Sequence, residues 1–68
     1  MTSIVTVADN FEDLIRKRGI SMDQVEETFE LGDTIRITEN DTHHIKYKDT
    51  VIVFDNKIDQ IVSAYVQK

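Results

Sequence analysis

Few residues of this 68-residue chain can move protons near neutral pH: two histidines, His43 and His44, and no cysteine. An imidazole titrates close to neutrality, so general acid–base work would have to rest on one of these two rings. Their adjacency argues against a shared metal ion. On a strand, neighbouring side chains point to opposite faces, so the two rings diverge, and Asp41 with His43 supplies two ligands rather than a coordination shell. Nucleophilic catalysis has no better footing. Ser3, Ser21 and Ser63 stand outside any glycine-rich elbow, and Ser21 reads as a helix cap. Gly19 and Gly32 are isolated, which leaves no loop to cradle phosphate. No pair of carboxylates sits in an apolar setting that would split its pKa values. These residues predict no catalytic group, no metal and no cofactor.

The charged residues offer a surface instead. Thirteen acids against eight bases give a net charge of −5 and a pI near 4.7. From Gly19 to Asp33 there are five acids and no base: Asp23, Glu26, Glu27, Glu30 and Asp33. The first four are spaced i, i+3, i+4 and i+7, which makes one band along a helix. Four helical residues advance about 6 Å, on the scale of the charge spacing along a nucleic-acid backbone. Like charges at i, i+4 mildly destabilise an isolated helix. The band reads either as the solvated face of an amphipathic helix or as a surface for a basic partner. An acidic face disfavours nucleic acid as the direct ligand and favours a protein that itself binds nucleic acid. A smaller basic set follows. His44, Lys46 and Lys48 share one strand face, Arg36 lies across from them, and His43, Ile45 and Tyr47 point the other way. That set reads as an anion site or as a solvated sheet face with cross-strand pairs, since Glu39, Asp41 and Asp49 are nearby.

The elements that position these groups follow from periodicity. Residues 7 to 18 read as a first helix, with Val7, Phe11, Leu14 and Ile15 on one stripe. Thr6 with Asp9 matches a capping box, Arg16-Lys17-Arg18 fills the last turn, and Gly19 suits the left-handed position after it. Ser3 to Val7 is apolar enough to form a short strand instead. Ser21 with Gln24 caps a second helix, whose Met22, Val25 and Phe29 line one face, and Gly32 closes it. From Asp33 the period becomes 2. Ile35 and Ile37 alternate with Thr34, Arg36 and Thr38, and Ile45 and Tyr47 alternate with His44, Lys46 and Lys48. The run Val51–Phe54 and the stretch Ile61–Val66 complete the set. Turns fall at Asn40-Asp41, Asp49-Thr50 and Asp55-Asn56-Lys57. The fold class is α+β: two N-terminal helices packed on a three- to four-stranded antiparallel β-meander, in a single domain over residues 1–68.

A chain of this length buries a small core, and the hydrophobic gain roughly cancels about 1.5 kcal/mol of ordering cost per residue. Without a disulfide or metal staple, a homodimer is an economical way to add buried area. The longest apolar run, Val51–Phe54, is too short to span a membrane, and Met1-Thr2-Ser3 does not open a signal peptide. The expectation is a cytoplasmic protein with no membrane contact.

The run Arg18-Gly19-Ile20-Ser21, followed by Val25 in the next helix, resembles a signature of a small bacterial family grouped with BrnT- and RelE-like toxins. The resemblance covers roughly residues 10–66 and includes the last strand, Ile61-Val62-Ser63-Ala64-Tyr65. It implies a compact α+β fold and, for active relatives, a ribonuclease that binds RNA through basic residues. In this chain such a site would be built on His44, Lys46 and Tyr65. Two positions depart from the family pattern: Asn10 stands where a histidine is common, and Leu14 where an arginine is. In size and charge the chain is also similar to small acidic proteins that phages use to disable host factors, including DNA mimics directed at histone-like proteins.

Overall fold

Two helices lead into one four-stranded antiparallel sheet in the computed structural model, which describes residues 6–68. The helices are α1 (Phe11–Lys17) and α2 (Met22–Leu31); the strands are β1 (Asp33–Ile37), β2 (Thr42–Tyr47), β3 (Thr50–Asp55) and β4 (Gln60–Val66). Strand order in the sheet equals chain order, so each strand pairs with the next through a tight turn. This is the expected α+β layout, with four strands.

The first helix is shorter than its periodicity predicts. Asn10 takes the N-cap position at φ 67° with no side-chain cap bond, so the Thr6–Asp9 capping box does not form. Residues 6–8 are bonded elsewhere. Ile61 donates its N–H to the Thr6 carbonyl at 2.9 Å, and Ala8 donates to the Ile61 carbonyl at 3.0 Å. Val7 thus bridges Ile61 in parallel and borders β4. Of the short strand that Ser3 to Val7 could form, the described residues show one isolated bridge at Val7 and no strand; residues 3–5 lie outside the described residues. At the other end of α1, Gly19 adopts φ 74°, the left-handed conformation that glycine takes without steric penalty. The second capping box does form: Gln24 donates its N–H to Ser21 Oγ at 3.1 Å, and Ser21 donates to Gln24 Oε1 at 2.9 Å.

Both helices pack on one face of the sheet. Phe11, Ile15, Ile20 and Val25 meet Ile52, Ile61 and Ala64 in the core, with Val7, Leu14, Met22, Ile45 and Phe54 packed around them. The inward face of α2 is rotated relative to the expected Met22–Val25–Phe29 stripe, because Thr28 is buried while Phe29 is partly exposed. Thr28 can be buried because its hydroxyl donates to the Gln24 carbonyl at 2.7 Å. Phe29 reaches the core only at its rim, its ring 5.5 Å from that of Phe54. Gly32 closes α2 at an ordinary φ of −79°. Its role is steric, since a Cβ there would lie 2.8 Å from both Ile45 Cγ2 and the Lys46 carbonyl.

Register then assigns each strand residue to a face. Ile45, Ile52 and Ala64 stand opposite one another on the helix side, and Lys46, Val51 and Tyr65 on the other. In β1 the pairing shifts between Thr34 and Arg36. The strict alternation expected there is therefore broken: Asp33 pairs with Lys46 and Arg36 with His44, which puts both on the face away from the helices. Two turns also differ from expectation. Lys48 and Asp49 form the β2–β3 turn and Thr50 already belongs to β3, while the β3–β4 turn covers residues 56–59.

Candidate functional site

The helix α2 carries its acids where the packing requires. Val25 and Thr28 point into the core, so residues half a turn away point out. Asp23, Glu27 and Glu30 are exposed and Glu26 is half-buried, and together they form the band that the spacing predicts. Among the described residues, no cation forms an ion pair with Asp23, Glu26 or Glu27. Asp23 sits in the first turn, where the helix dipole favours it, and the last turn contains no basic residue. Asp33 is separate from this band. It opens β1 opposite Lys46, on the sheet face that the helices leave uncovered.

That uncovered face gathers the second set of groups. Arg36 stands opposite His44 in the β1–β2 register, and Lys46 lies two residues along β2 on the same side. The fourth strand adds Tyr65, whose hydroxyl is hydrogen-bonded to His44 Nδ1 at 3.3 Å, the rings meeting edge-to-face at 6.3 Å. Arg18 reaches the β4 edge from the end of α1, donating from Nη1 to the Ala64 carbonyl at 2.7 Å and lying 3.5 Å from Ser63 Oγ. The spacing of the sequence grouped Lys48 with this set, and the structure removes it. Lys48 lies in the turn at φ 57° and folds its ammonium over the Tyr47 ring, 5.3 Å from the centroid. It therefore borders the cleft that Glu27 and Gln24 also line, beside α2. Periodicity gives no sign of this role for Arg18, since its place at the end of α1 accounts for a cation through the helix dipole alone.

His43 faces the other way, as alternation requires, and belongs to a structural knot. Asp41 Oδ1 lies 3.0 Å from His43 Nε2, and Asp41 Oδ2 accepts from Asn56 Nδ2 at 2.9 Å. The Asn56 hydrogen bond, then the His43 bond, hold the Asp41 carboxyl below its ordinary pKa; desolvation opposes them, and the Coulombic attraction of His43 and Lys57 adds a smaller lowering. Among the described residues, no group of three or more histidines, aspartates and glutamates is placed to hold a metal ion. No described helix is long and apolar enough to cross a membrane.

The molecule thus presents two chemically distinct surfaces, an acidic helix face and a sheet face bearing Arg36, His44, Lys46 and Tyr65. No protein-family model, curated protein or solved structure matches the chain.

Proposed function

We propose that the chain is a non-catalytic interaction module that binds and inhibits a basic nucleic-acid-binding protein in the cytoplasm. Its α2 carboxylates would take the place of backbone phosphates, as in a DNA mimic of phage type directed at a histone-like host protein. The observation that carries this reading is the outward band on α2, in which Asp23, Glu26 and Glu27 have no cationic partner among the described residues. Carboxylates left unneutralised on a rigid helix keep their field available to a basic surface, which steers encounter and fixes register. Asp33 contributes to the overall acidity but belongs to the other face.

The test is a tagged pull-down from nuclease-treated bacterial lysate, eluted with a salt gradient. Nuclease removes contacts bridged by nucleic acid. One basic nucleic-acid-binding protein, released at moderate salt and lost with the triple variant Glu26→Lys, Glu27→Lys, Glu30→Lys, supports the reading. Undiminished capture by the triple variant refutes it.

A second reading is favoured by the His44–Tyr65 hydrogen bond. A divergent toxin-type ribonuclease of the BrnT and RelE kind, or an inactive relative, would use the same sheet face: His44 to move a proton from the RNA 2′-hydroxyl, Arg36 and Lys46 to hold the phosphate. Growth arrest or RNA cleavage on expression, lost in His44→Ala and in Tyr65→Phe, supports it. Wild-type growth with intact RNA removes it.

A further inference from the structure

We infer that β1 is the contact strand of a homodimer, each copy adding its β1 antiparallel to the other's. The inference is independent of what α2 binds. All five residues of β1 are exposed, and among the described residues the strand pairs on one side only, with β2. An open strand edge is a template for another chain, and proteins blunt such edges with charges, bulges, proline or a covering segment. Here the edge is bulged between Thr34 and Arg36 and carries one charge of each sign, so it repels a like-charged strand but not its own antiparallel copy, and isoleucines stand beside those charges. Ile35 is 49% exposed and Ile37 61%, and Leu31, at the end of the helix that feeds the strand, is 59% exposed. Apolar groups clustered on an unpaired edge mark a contact surface.

Charge on that edge selects a second copy as its occupant. The register shift at Ile35 places Asp33 and Arg36 on one face of β1, three residues apart and of opposite sign. Antiparallel self-pairing across a two-fold axis sets Asp33 of each copy against Arg36 of the other, giving two equivalent ion pairs on the sheet face away from the helices. Without the shift, strict alternation would put the two side chains on opposite faces, where they could not meet. Such a contact joins two four-stranded sheets into one of eight strands, with both helix layers on the same side. A five-residue strand buries less than the roughly 800 Å² per partner of a standard interface, so the dimer is weak and concentration-dependent.

The experiment is sedimentation velocity on the full chain from micromolar to millimolar concentration, with the fold of each variant checked by circular dichroism. The wild type should pass from monomer to dimer across that range. Arg36→Asp, which sets like charges face to face, should weaken the dimer at least about tenfold, and Ile37→Lys should do the same. The double variant Asp33→Arg, Arg36→Asp swaps both signs and should restore it. A wild-type monomer at every concentration overturns the inference. So does a dimer indifferent to Arg36→Asp, or one lost only on charge reversal of Glu26, Glu27 and Glu30.

Discussion

Asp41, in the β1–β2 turn, accepts a hydrogen bond from Asn56, in the β3–β4 turn, at 2.9 Å, and the Asn56 N–H also donates to the Asp41 carbonyl at 3.1 Å. One residue therefore ties two turns at the same end of the sheet. Its carboxyl also meets His43, and both contacts favour the ionised form. Asp41 stands at φ 62°, where aspartate and asparagine are the best tolerated residues after glycine.

A dependence on pH follows. The folded chain binds the Asp41 proton more weakly than the unfolded chain, whose ordinary value is 3.8. The stabilisation is complete above that value and is lost as pH falls through the lower folded one. Asp41→Asn keeps the left-handed conformation and removes the charge. Thermal melts between neutrality and pH 2 should show a smaller acid-induced loss of Tm in Asp41→Asn than in the wild type. Identical profiles would assign the acid sensitivity to other carboxylates.

The two glycines should fail differently. At Gly19, where a Cβ meets nothing within 4 Å, only the φ of 74° is costly, so Gly19→Asn should be mild and Gly19→Val severe. At Gly32 the dihedrals are ordinary, but a Cβ would stand 2.5 Å from the Thr28 carbonyl and 2.8 Å from Ile45 Cγ2. Asparagine gains nothing there, and even Gly32→Ala should cost about 1–3 kcal/mol in chemical denaturation.

Arg18 and Arg16 test the difference between a clasp and a surface pair. Arg18 holds the Ala64 carbonyl at 2.7 Å, whereas Arg16 lies 3.3 Å from Asp13 with both side chains mostly exposed. Arg18→Met should cost about 1–2 kcal/mol, since the bond has a charged donor and docks α1 on β4. Arg16→Met should stay within about 0.5 kcal/mol. Urea denaturation of the two variants side by side decides it.

On α2 the buried polar residue should be the more dispensable. The Thr28 hydroxyl donates to a carbonyl of its own helix, so Thr28→Val removes a donor without orphaning a partner and should change stability by less than about 1 kcal/mol. The reverse change at Val25, which is fully buried, brings in a hydroxyl and should cost about 1–3 kcal/mol.

What was legible in the sequence was what is decided locally. Ser21 and Gln24 satisfy each other across one helical turn, and Gly19 follows the last turn of α1, so both were readable from spacing. The acid band was readable for the same reason, since helical periodicity alone puts Asp23, Glu26, Glu27 and Glu30 on one side. The Thr6–Asp9 box matched its pattern and still did not form, because residues 6–8 pair with Ile61, which only the finished sheet brings near. The β1 register shift has no glycine or proline to announce it, and it alone moves Arg36 onto the face of Asp33. Lys48 shows the limit of alternation: one residue past the end of β2, the turn sets its direction. The His44–Tyr65 pair depends on the registers of three strands and left no local mark.

Residues 6–8 have a consequence for how many copies can join. A sheet with two open edges accepts neighbours on both and can lengthen without limit. On β4 the outward N–H and carbonyl of Ile61 already bond Thr6 and Ala8, and Arg18 takes the carbonyl of Ala64. A strand arriving there would have to displace all three. Under the proposed β1 pairing, those three bonds make the β4 side the harder one for a third molecule to add to, which favours a pair over a fibre.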